Sequence, residues 1–526
     1  MERIHKKSAL PEASALLSAA HEAGAELLWE RYERQLPLCA FTSNGLNCRK
    51  CLLGPCRINP FGDEPSRGVC GADRDQIVME NLFQTTLDGV MESIRASRLL
   101  GIDGHGGELP DLASDLRAEA RARLSGAGLL PVCKGDLFGV RNGFFSHKGF
   151  LRQTLSDLTR LGLIHYGVLK EVDMSIGRAQ APGLTYYPEG INVLIAGQAP
   201  QGVIQALEQQ TAQGPQGQRI NLFAPGASRL TAAKASADQG SLELALGMKV
   251  DALIISPNAA WPGLEVLARH YGIPVFLLDG GKPFQQIACE AMEQAFHHAQ
   301  QASFGAPTGM LPAGESGDFS IHQRREELKG AIESRRIGGA AVLFGEANVK
   351  QTFFDRTLAL LEAAVTNRVL ILVGGDLGSQ IDSLAAELKR RKAAQFSSFA
   401  LELEKDGLSP ILSFGSLFEL PRVVSALTAP SPARKGSPFP VFFAFPEFYR
   451  ASTWAGAVSL LSLGFSVQIG SRLPFWGSPS LTEVIKTEWP GIAGGTLLAD
   501  PVLRDAAAQA EELTTFFTAV DRVGRG

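Results

Sequence analysis

The chain has 526 residues, of which 45% are hydrophobic and 20% charged, and its formal net charge is −4. This length exceeds what one hydrophobic core accommodates, so we expect about two to four domains. The small net charge provides no field for nucleic acid or anionic lipid, and without a run of about 18 apolar residues we expect no membrane insertion. The N-terminal segment lacks the apolar core of a signal peptide, which predicts a cytoplasmic protein.

The first third of the sequence has the periodicity of helices. Apolar residues recur at helical spacing from about residue 10 to 36 and from about 73 to 175. We therefore predict a mostly helical N-terminal domain, residues 1–185, built around a cysteine-rich loop that separates the two helical stretches.

Beyond this region, short β-rich apolar runs alternate with helical patterns, which predicts parallel sheets covered by helices on both faces. A first Rossmann-like α/β domain is predicted at 186–305, a linker with a lead-in helix at 306–335, and a second Rossmann-like domain at 336–526. The predicted fold class is α/β, a helical domain followed by two doubly wound parallel-sheet domains. The predicted strands are 191–197, 219–225, 250–256, 274–279, 340–346, 368–375, 410–416, 440–446 and 466–471.

Seven cysteines occur, and five of them lie between positions 39 and 70. An odd, clustered set argues against a disulfide framework and favours metal ligation. Four of them, Cys48, Cys51, Cys56 and Cys70, follow the spacing C-x2-C-x4-C-x13-C. Four thiolates on a Gly- and Pro-containing loop can hold a [4Fe–4S] cluster. A structural zinc site or free cysteines are the alternatives, although zinc sites usually contain two C-x2-C pairs and only one is present.

Basic side chains at Arg49, Lys50 and Arg57 are available to offset the negative charge of such a cluster. Cys133 and Cys289 stand alone in the sequence. We expect both to be small hydrophobic residues buried in the core.

This cysteine segment resembles the N-terminal segment of anaerobic nickel–iron–sulfur carbon monoxide dehydrogenases. The resemblance lies in Cys39, Cys48–Cys51, Gly54–Ile58 and Gly68–Asp73, and weaker phrases extend it along the chain, which is shorter than typical members. The related hybrid-cluster proteins fit the cysteine spacing less well. The resemblance implies a homodimer of three-domain subunits with a relay cubane, a cubane bridging the subunits and a catalytic nickel–iron–sulfur cluster.

Of these three metal sites, the resemblance implies that only the relay cubane is intact, on Cys48, Cys51, Cys56 and Cys70. For the bridging cubane, Cys39 is present at the dimer interface, but Asn47 occupies the second cysteine position. At the catalytic cluster the family histidine is replaced by Gln198 and the proton-relay lysine by Ser452. Cysteine ligand positions are occupied by Ala259, Glu346, Gly375 and Leu417. We therefore expect no nickel cluster and no carbon monoxide oxidation.

The resulting functional hypothesis is electron transfer through one [4Fe–4S] cluster per subunit, to a ferredoxin-like protein or another metalloenzyme. Whether the chain is itself an enzyme stays open at this point. One alternative is an oxidoreductase that uses the vacated cavity, where Gln198, Asn258, Glu346 and Asp376 follow strand ends and can converge. The other is a structural or regulatory partner subunit of another metalloenzyme.

Overall fold

In a computed structural model, part of the chain is described: residues 7–100, 102, 107–146, 151–175, 190–197, 200–213, 220–223, 239–247, 250–257, 261–278, 281–301, 325–334, 336–428, 439–473, 475–499 and 505–524. Among these residues no helix combines the length and the apolar composition needed to cross a bilayer.

The N-terminal region is helical, with a small antiparallel hairpin that carries two cysteines. The helix α4 begins at a reciprocal cap, in which Asp73 accepts the amide of Gln76 at 3.0 Å and the Gln76 side chain accepts the amide of Asp73 at 3.1 Å. The elements are α1 (Pro11–Glu22), α2 (Leu28–Arg34), α3 (Ala40–Ser43), β1 (Asn47–Cys48), β2 (Cys56–Arg57), α4 (Arg74–Leu99), α5 (Ala118–Gly126), α6 (Asp136–Ser146) and α7 (Leu151–Ser175).

The first α/β region has a parallel sheet of four strands in the order β4-β3-β5-β6. The helices α1 and α2 also pack on this region, because Leu17 and Trp29 share a core with one face of the sheet, and helices of the region itself cover the other face. The elements are β3 (Ile191–Ala196), α8 (Gln201–Gln213), β4 (Ile220–Phe223), α9 (Gln239–Leu246), β5 (Ala252–Ile255), α10 (Pro262–His270), β6 (Val275–Leu277) and α11 (Phe284–Gln301).

The second α/β region has a parallel sheet of six strands in the order β12-β11-β10-β7-β8-β9. The strand order reverses between β7 and β10, which is where open α/β sheets form a crevice at the carboxyl ends of their strands. The elements are α12 (Arg325–Glu333), β7 (Ala340–Gly345), α13 (Asp355–Thr366), β8 (Leu370–Gly375), α14 (Asp376–Ser379), α15 (Ile381–Arg391), α16 (Ala393–Leu403), β9 (Ile411–Gly415), α17 (Leu420–Thr428), β10 (Val441–Phe445), α18 (Ala451–Ser462), β11 (Val467–Ile469), α19 (Pro479–Thr487), α20 (Trp489–Ala493), β12 (Leu497–Ala499) and α21 (Ala506–Gly524).

Helix α18 joins the helical region to the second sheet. Two glycines allow its close approach, since a Cβ at Gly89 of α4 would collide with the Ala451 carbonyl, and one at Gly162 of α7 would lie 2.7 Å from the Val458 carbonyl oxygen. The helical region and one face of the second sheet consequently form a single continuous hydrophobic core. This packing places α4 against the carboxyl ends of the strands.

The predicted fold class is confirmed, and all nine predicted strands are present within a few residues of their expected limits. The strands β3, β7 and β8 are buried at every position, as parallel strands covered on both faces should be. The sequence reasoning missed β12, a three-residue edge strand whose apolar run is too short to recognise.

Candidate functional site

All four predicted cluster ligands line one pocket of about 280 Å³, here called the thiolate pocket. The hairpin places Cys48 directly opposite Cys56, the turn beyond β1 carries Cys51, and Cys70 lies shortly before α4. The remaining wall is formed by the first turns of α4 and α7. The sequence separation of 22 residues between the outer ligands is therefore closed by the fold into one concave site.

Backbone amide groups of the cysteine loop point toward the sulfur atoms. The Val69 amide donates to Cys56 Sγ at 3.4 Å, and the Lys50 amide donates to the Cys48 thiol. At Gly54 a Cβ would lie 3.1 Å from the Cys56 nitrogen and 3.2 Å from the Cys48 carbonyl oxygen, so a larger residue would widen the turn. Amide donors of this kind stabilise the anionic sulfurs of an iron–sulfur cluster.

One of the four cysteines, Cys48, lies where a thiolate that carries no metal is disfavoured. Burial raises the pKa of Cys48, and the negative charges of Glu80, Cys56 and Cys70 raise it further, against the lowering effect of the Lys50 amide. A bound cationic metal framework reverses this balance, because metal ligation requires deprotonated sulfur and supplies the compensating charge. The surroundings of Cys48 are therefore compatible with metal ligation.

The four thiols share one pocket but are not gathered around the position of a single ion. Among the described residues, no three His, Cys, Asp or Glu side chains are placed to hold one metal ion. A tetrahedral zinc site, with bonds of about 2.3 Å, requires its sulfurs to lie within about 4 Å of one another. A cubane distributes its four ligands around a larger body, and four cysteines around a pocket of about 280 Å³ are compatible with that requirement.

The thiolate pocket opens at the surface. Cys51 and Cys70 are exposed, whereas Cys48 and Cys56 are half-buried. Four large apolar side chains of the same loop are solvent-exposed and form what we call the apolar rim: Leu52, Leu53, Phe61 and Val69. An exposed group of this kind is typical of an interaction surface.

The other cysteines lie elsewhere. Cys39 is exposed and precedes α3, where hydrogen bonds from the Thr42 amide and side chain lower its pKa. Asn47 begins β1, one residue before Cys48. The expectation for Cys289 was wrong, because it lies on the solvent-facing side of α11, and Cys133 is only half-buried. Neither Cys133 nor Cys289 lines the thiolate pocket.

A second, smaller cavity of about 60 Å³ lies at the carboxyl ends of β7, β8 and β9, and we call it the strand-end cavity. It brings together Glu346 and Asp376, as expected from their positions after strands. Gln198 and Asn258 lie outside the described residues. Its walls are Glu92, Ser93, Ala96, Phe344, Glu346, Gly375, Asp376, Ser416, Leu417, Phe418, Arg450, Ser452 and Thr453.

Glu346 is held by the start of α18. Its carboxylate accepts the Arg450 amide at 3.2 Å and the Thr453 hydroxyl at 2.5 Å, and the Arg450 Nε lies 3.7 Å from Oε1. Burial raises the pKa of Glu346, and Arg450 and Thr453 partly offset that rise. The strand-end cavity is thus occupied largely by an internal ion pair.

Sequence reasoning missed Arg450 and Glu92, although both line this cavity. Burial alone would lower the pKa of Arg450, but the charges of Tyr449 and the nearby carboxylates hold it well above its ordinary value. Its guanidinium also lies 5.0 Å from the ring centre of Trp261, which precedes α10 of the first α/β region. The position of Arg450 shortly after β10 could have predicted its place at the strand ends. Glu92 could not be predicted in this way, because it comes from the distant helix α4.

Comparisons with known proteins agree with the resemblance seen in the cysteine segment. Residues 46–120 match the Prismane/CO dehydrogenase family. A carbon monoxide dehydrogenase of Rhodospirillum rubrum is 38% identical over 150 residues, which cover 26% of this chain and 23% of that protein. Carbon monoxide dehydrogenase 2 of Methanosarcina mazei is 23% identical over 593 aligned residues, covering 89% of this chain and 92% of that protein.

The solved structure of carbon monoxide dehydrogenase IV from Carboxydothermus hydrogenoformans has the same fold. It superposes with a TM-score of 0.80 at 18% sequence identity, covering 98% of this chain and 99% of that one. The match of higher identity spans less than a quarter of the relative's length, and the nearly full-length matches establish the fold.

Together, the fold and the thiolate pocket define the class: a helical region and two parallel-sheet regions, with four cysteines brought together in one pocket. The match to the Prismane/CO dehydrogenase family covers residues 46–120, in agreement with the resemblance of the cysteine segment, and along nearly its whole length this chain shares the fold of carbon monoxide dehydrogenase IV.

Proposed function

We propose that this protein transfers electrons through one [4Fe–4S] cluster per chain, held by Cys48, Cys51, Cys56 and Cys70. The observation that carries the proposal is that all four cysteines line one surface-opening pocket. When bound, the cluster would supply reversible one-electron storage. The chain contributes the four thiolates, the amide donors at Lys50 and Val69, and a surface on which a redox partner can approach.

We further propose that this chain does not oxidise carbon monoxide. Support comes from the strand-end cavity, where Glu346, Gly375 and Leu417 stand at positions that the resemblance equates with cysteine ligands, and Ser452 stands at that of the relay lysine. None of these four residues offers a thiolate or an imidazole. Thiolates are the ligands that hold nickel–iron–sulfur frameworks.

The alternative of a different reaction in the strand-end cavity has less support. Its described walls enclose about 60 Å³, whereas small-molecule sites usually measure about 300–1,000 Å³. The alternative of a structural or regulatory subunit shares with electron transfer the need for a partner. In both roles a ferredoxin-like protein or another metalloenzyme is the proposed partner.

The test of the cluster assignment is the metal content of protein purified without oxygen. We expect about four iron and four sulfide per chain, the content of one cubane, and an EPR signal after reduction. Replacing one of the four ligands, Cys51→Ser, should remove or degrade the cluster. Cys39→Ser is the matched control and should leave the iron content unchanged, since Cys39 lies outside the thiolate pocket. Full iron in Cys51→Ser would show that the ligands are assigned wrongly, and iron loss in Cys39→Ser would indicate a bridging cluster.

We also propose that two copies associate through the apolar rim. Phe61 is 88% exposed in the single chain, and burying such a side chain contributes about 1.5–3 kcal/mol to association. Light scattering at micromolar concentration should therefore give a dimer, and Phe61→Asp should shift it toward the monomer. Leu401→Asp on α16 introduces the same charge at another exposed apolar residue and should leave the dimer intact. A monomeric unmodified protein would refute this assembly.

A further inference from the structure

An ion pair forms part of the wall of the thiolate pocket. Lys50 Nζ contacts the Glu80 carboxylate, and both side chains line the pocket together with the four cysteines. Their side chains are only 20% and 18% exposed, respectively. Lys50 lies within the Cys48–Cys51 knuckle, whereas Glu80 comes from α4. The pair therefore connects the ligand loop to the helix beneath it.

The two charges are placed asymmetrically with respect to the ligands. Lys50 is part of the chelating loop, and its amide donates to the Cys48 sulfur, while Glu80 is close enough to act on the same sulfur through its charge. Charges that are this poorly exposed are weakly screened by solvent. A positive charge near a cluster stabilises its reduced form, and a negative charge opposes reduction.

We infer that the Lys50–Glu80 pair is a positioning and electrostatic device that sets the reduction potential of the cluster, with the positive member on the ligand loop. The inference rests on the proposed function, since it requires a cluster on the four cysteines. In the step concerned, one electron from a low-potential donor enters the cluster, and no bond or proton is exchanged. The pair therefore acts as a fixed dipole in this step.

Removing the charge of Lys50 and removing the charge of Glu80 should shift the midpoint potential of the cluster in opposite directions. Lys50→Met leaves Glu80 uncompensated, so the reduced form becomes less favourable and the midpoint potential falls. Glu80→Gln leaves Lys50 uncompensated, so the midpoint potential rises. We expect each change to alter the ratio of reduced to oxidised protein about tenfold at a fixed potential, which corresponds to about 59 mV for one electron. The double variant should return close to the unmodified protein.

The measurement is a dithionite titration followed by EPR on the anaerobically purified protein, with iron and sulfide counted in every sample. Lys50→Arg keeps the charge and should keep the potential. Asp88→Asn removes one carboxylate from an exposed position on α4, about 12 Å along the helix from Glu80, and should shift the potential little.

Opposite shifts in the two single variants support the inference, and a purely structural role would not produce them. Equal shifts, or shifts no larger than that of Asp88→Asn, overturn it while leaving the cluster assignment intact. If Lys50→Met loses iron, Glu80→Gln alone decides, because a potential that does not rise overturns the inference. An unmodified protein without iron and sulfide refutes the proposed function itself, and this inference with it.

Discussion

Purified protein with a full complement of iron should bind no stoichiometric nickel and should not reduce an artificial electron acceptor in the presence of carbon monoxide. Turnover of the family type needs a nickel beside an iron, both held by thiolates, and a basic side chain to move protons. Outside the N-terminal cysteine segment the sequence contains only Cys133 and Cys289, and neither lines the strand-end cavity. An error in the alignment of one position cannot supply the missing ligands.

The electrostatics of the strand-end cavity support the same expectation. Arg450 places a fixed positive charge against Glu346, where a metal framework would need anionic ligands and free volume. The assay requires nickel added during anaerobic reconstitution and a family enzyme with intact ligands, tested in parallel, as the positive control. Carbon monoxide oxidation by this protein at a rate that tracks its nickel content would contradict the prediction.

The convergence of the four cysteines on one pocket was predictable from sequence because the information is local. Three ligands lie within nine residues, and the turn between them needs a glycine at position 54, so spacing and turn chemistry together indicate the site. The parallel strands were predictable for a similar reason, since each is a short run buried on both faces. Glu346 and Asp376 could be expected to meet because carboxyl ends of neighbouring parallel strands share one edge.

The features that were missed depend on contacts between distant segments. Glu92 reaches the strand-end cavity only because Gly89 lets α18 pack closely on α4, and nothing near Glu92 in the sequence indicates this. Cys289 was expected to be buried because its segment is amphipathic. The helical pattern alone does not determine whether Cys289 lies on the face of α11 that packs on the sheet or on the exposed face. Tertiary packing decided both cases.

Replacing Arg31 by methionine should destabilise the protein by about 3–5 kcal/mol, because it leaves a buried carboxylate without its cationic partner. Glu243 on α9 is fully buried and is paired with the Arg31 guanidinium, and it also accepts the Leu28 amide at 2.6 Å. The space for this pair depends on Gly263, where a Cβ would lie 2.6 Å from Arg31 Nη2 and 2.8 Å from Glu243 Oε1. The pair thereby anchors α2 to the first α/β region.

The matched control is Arg34→Met, which makes the same chemical change on the same helix. Arg34 pairs with Glu26 at 2.5 Å, but the two side chains are 70% and 41% exposed, so water screens the pair and its loss should cost about 0–1 kcal/mol. The measurement is urea unfolding followed by tryptophan fluorescence, to which Trp29 contributes from the core between α2 and the first sheet. Equal midpoints for the two variants would show that Glu243 tolerates the loss of Arg31, and a lower midpoint for Arg31→Met alone would establish that the buried pair holds the N-terminal helices in place.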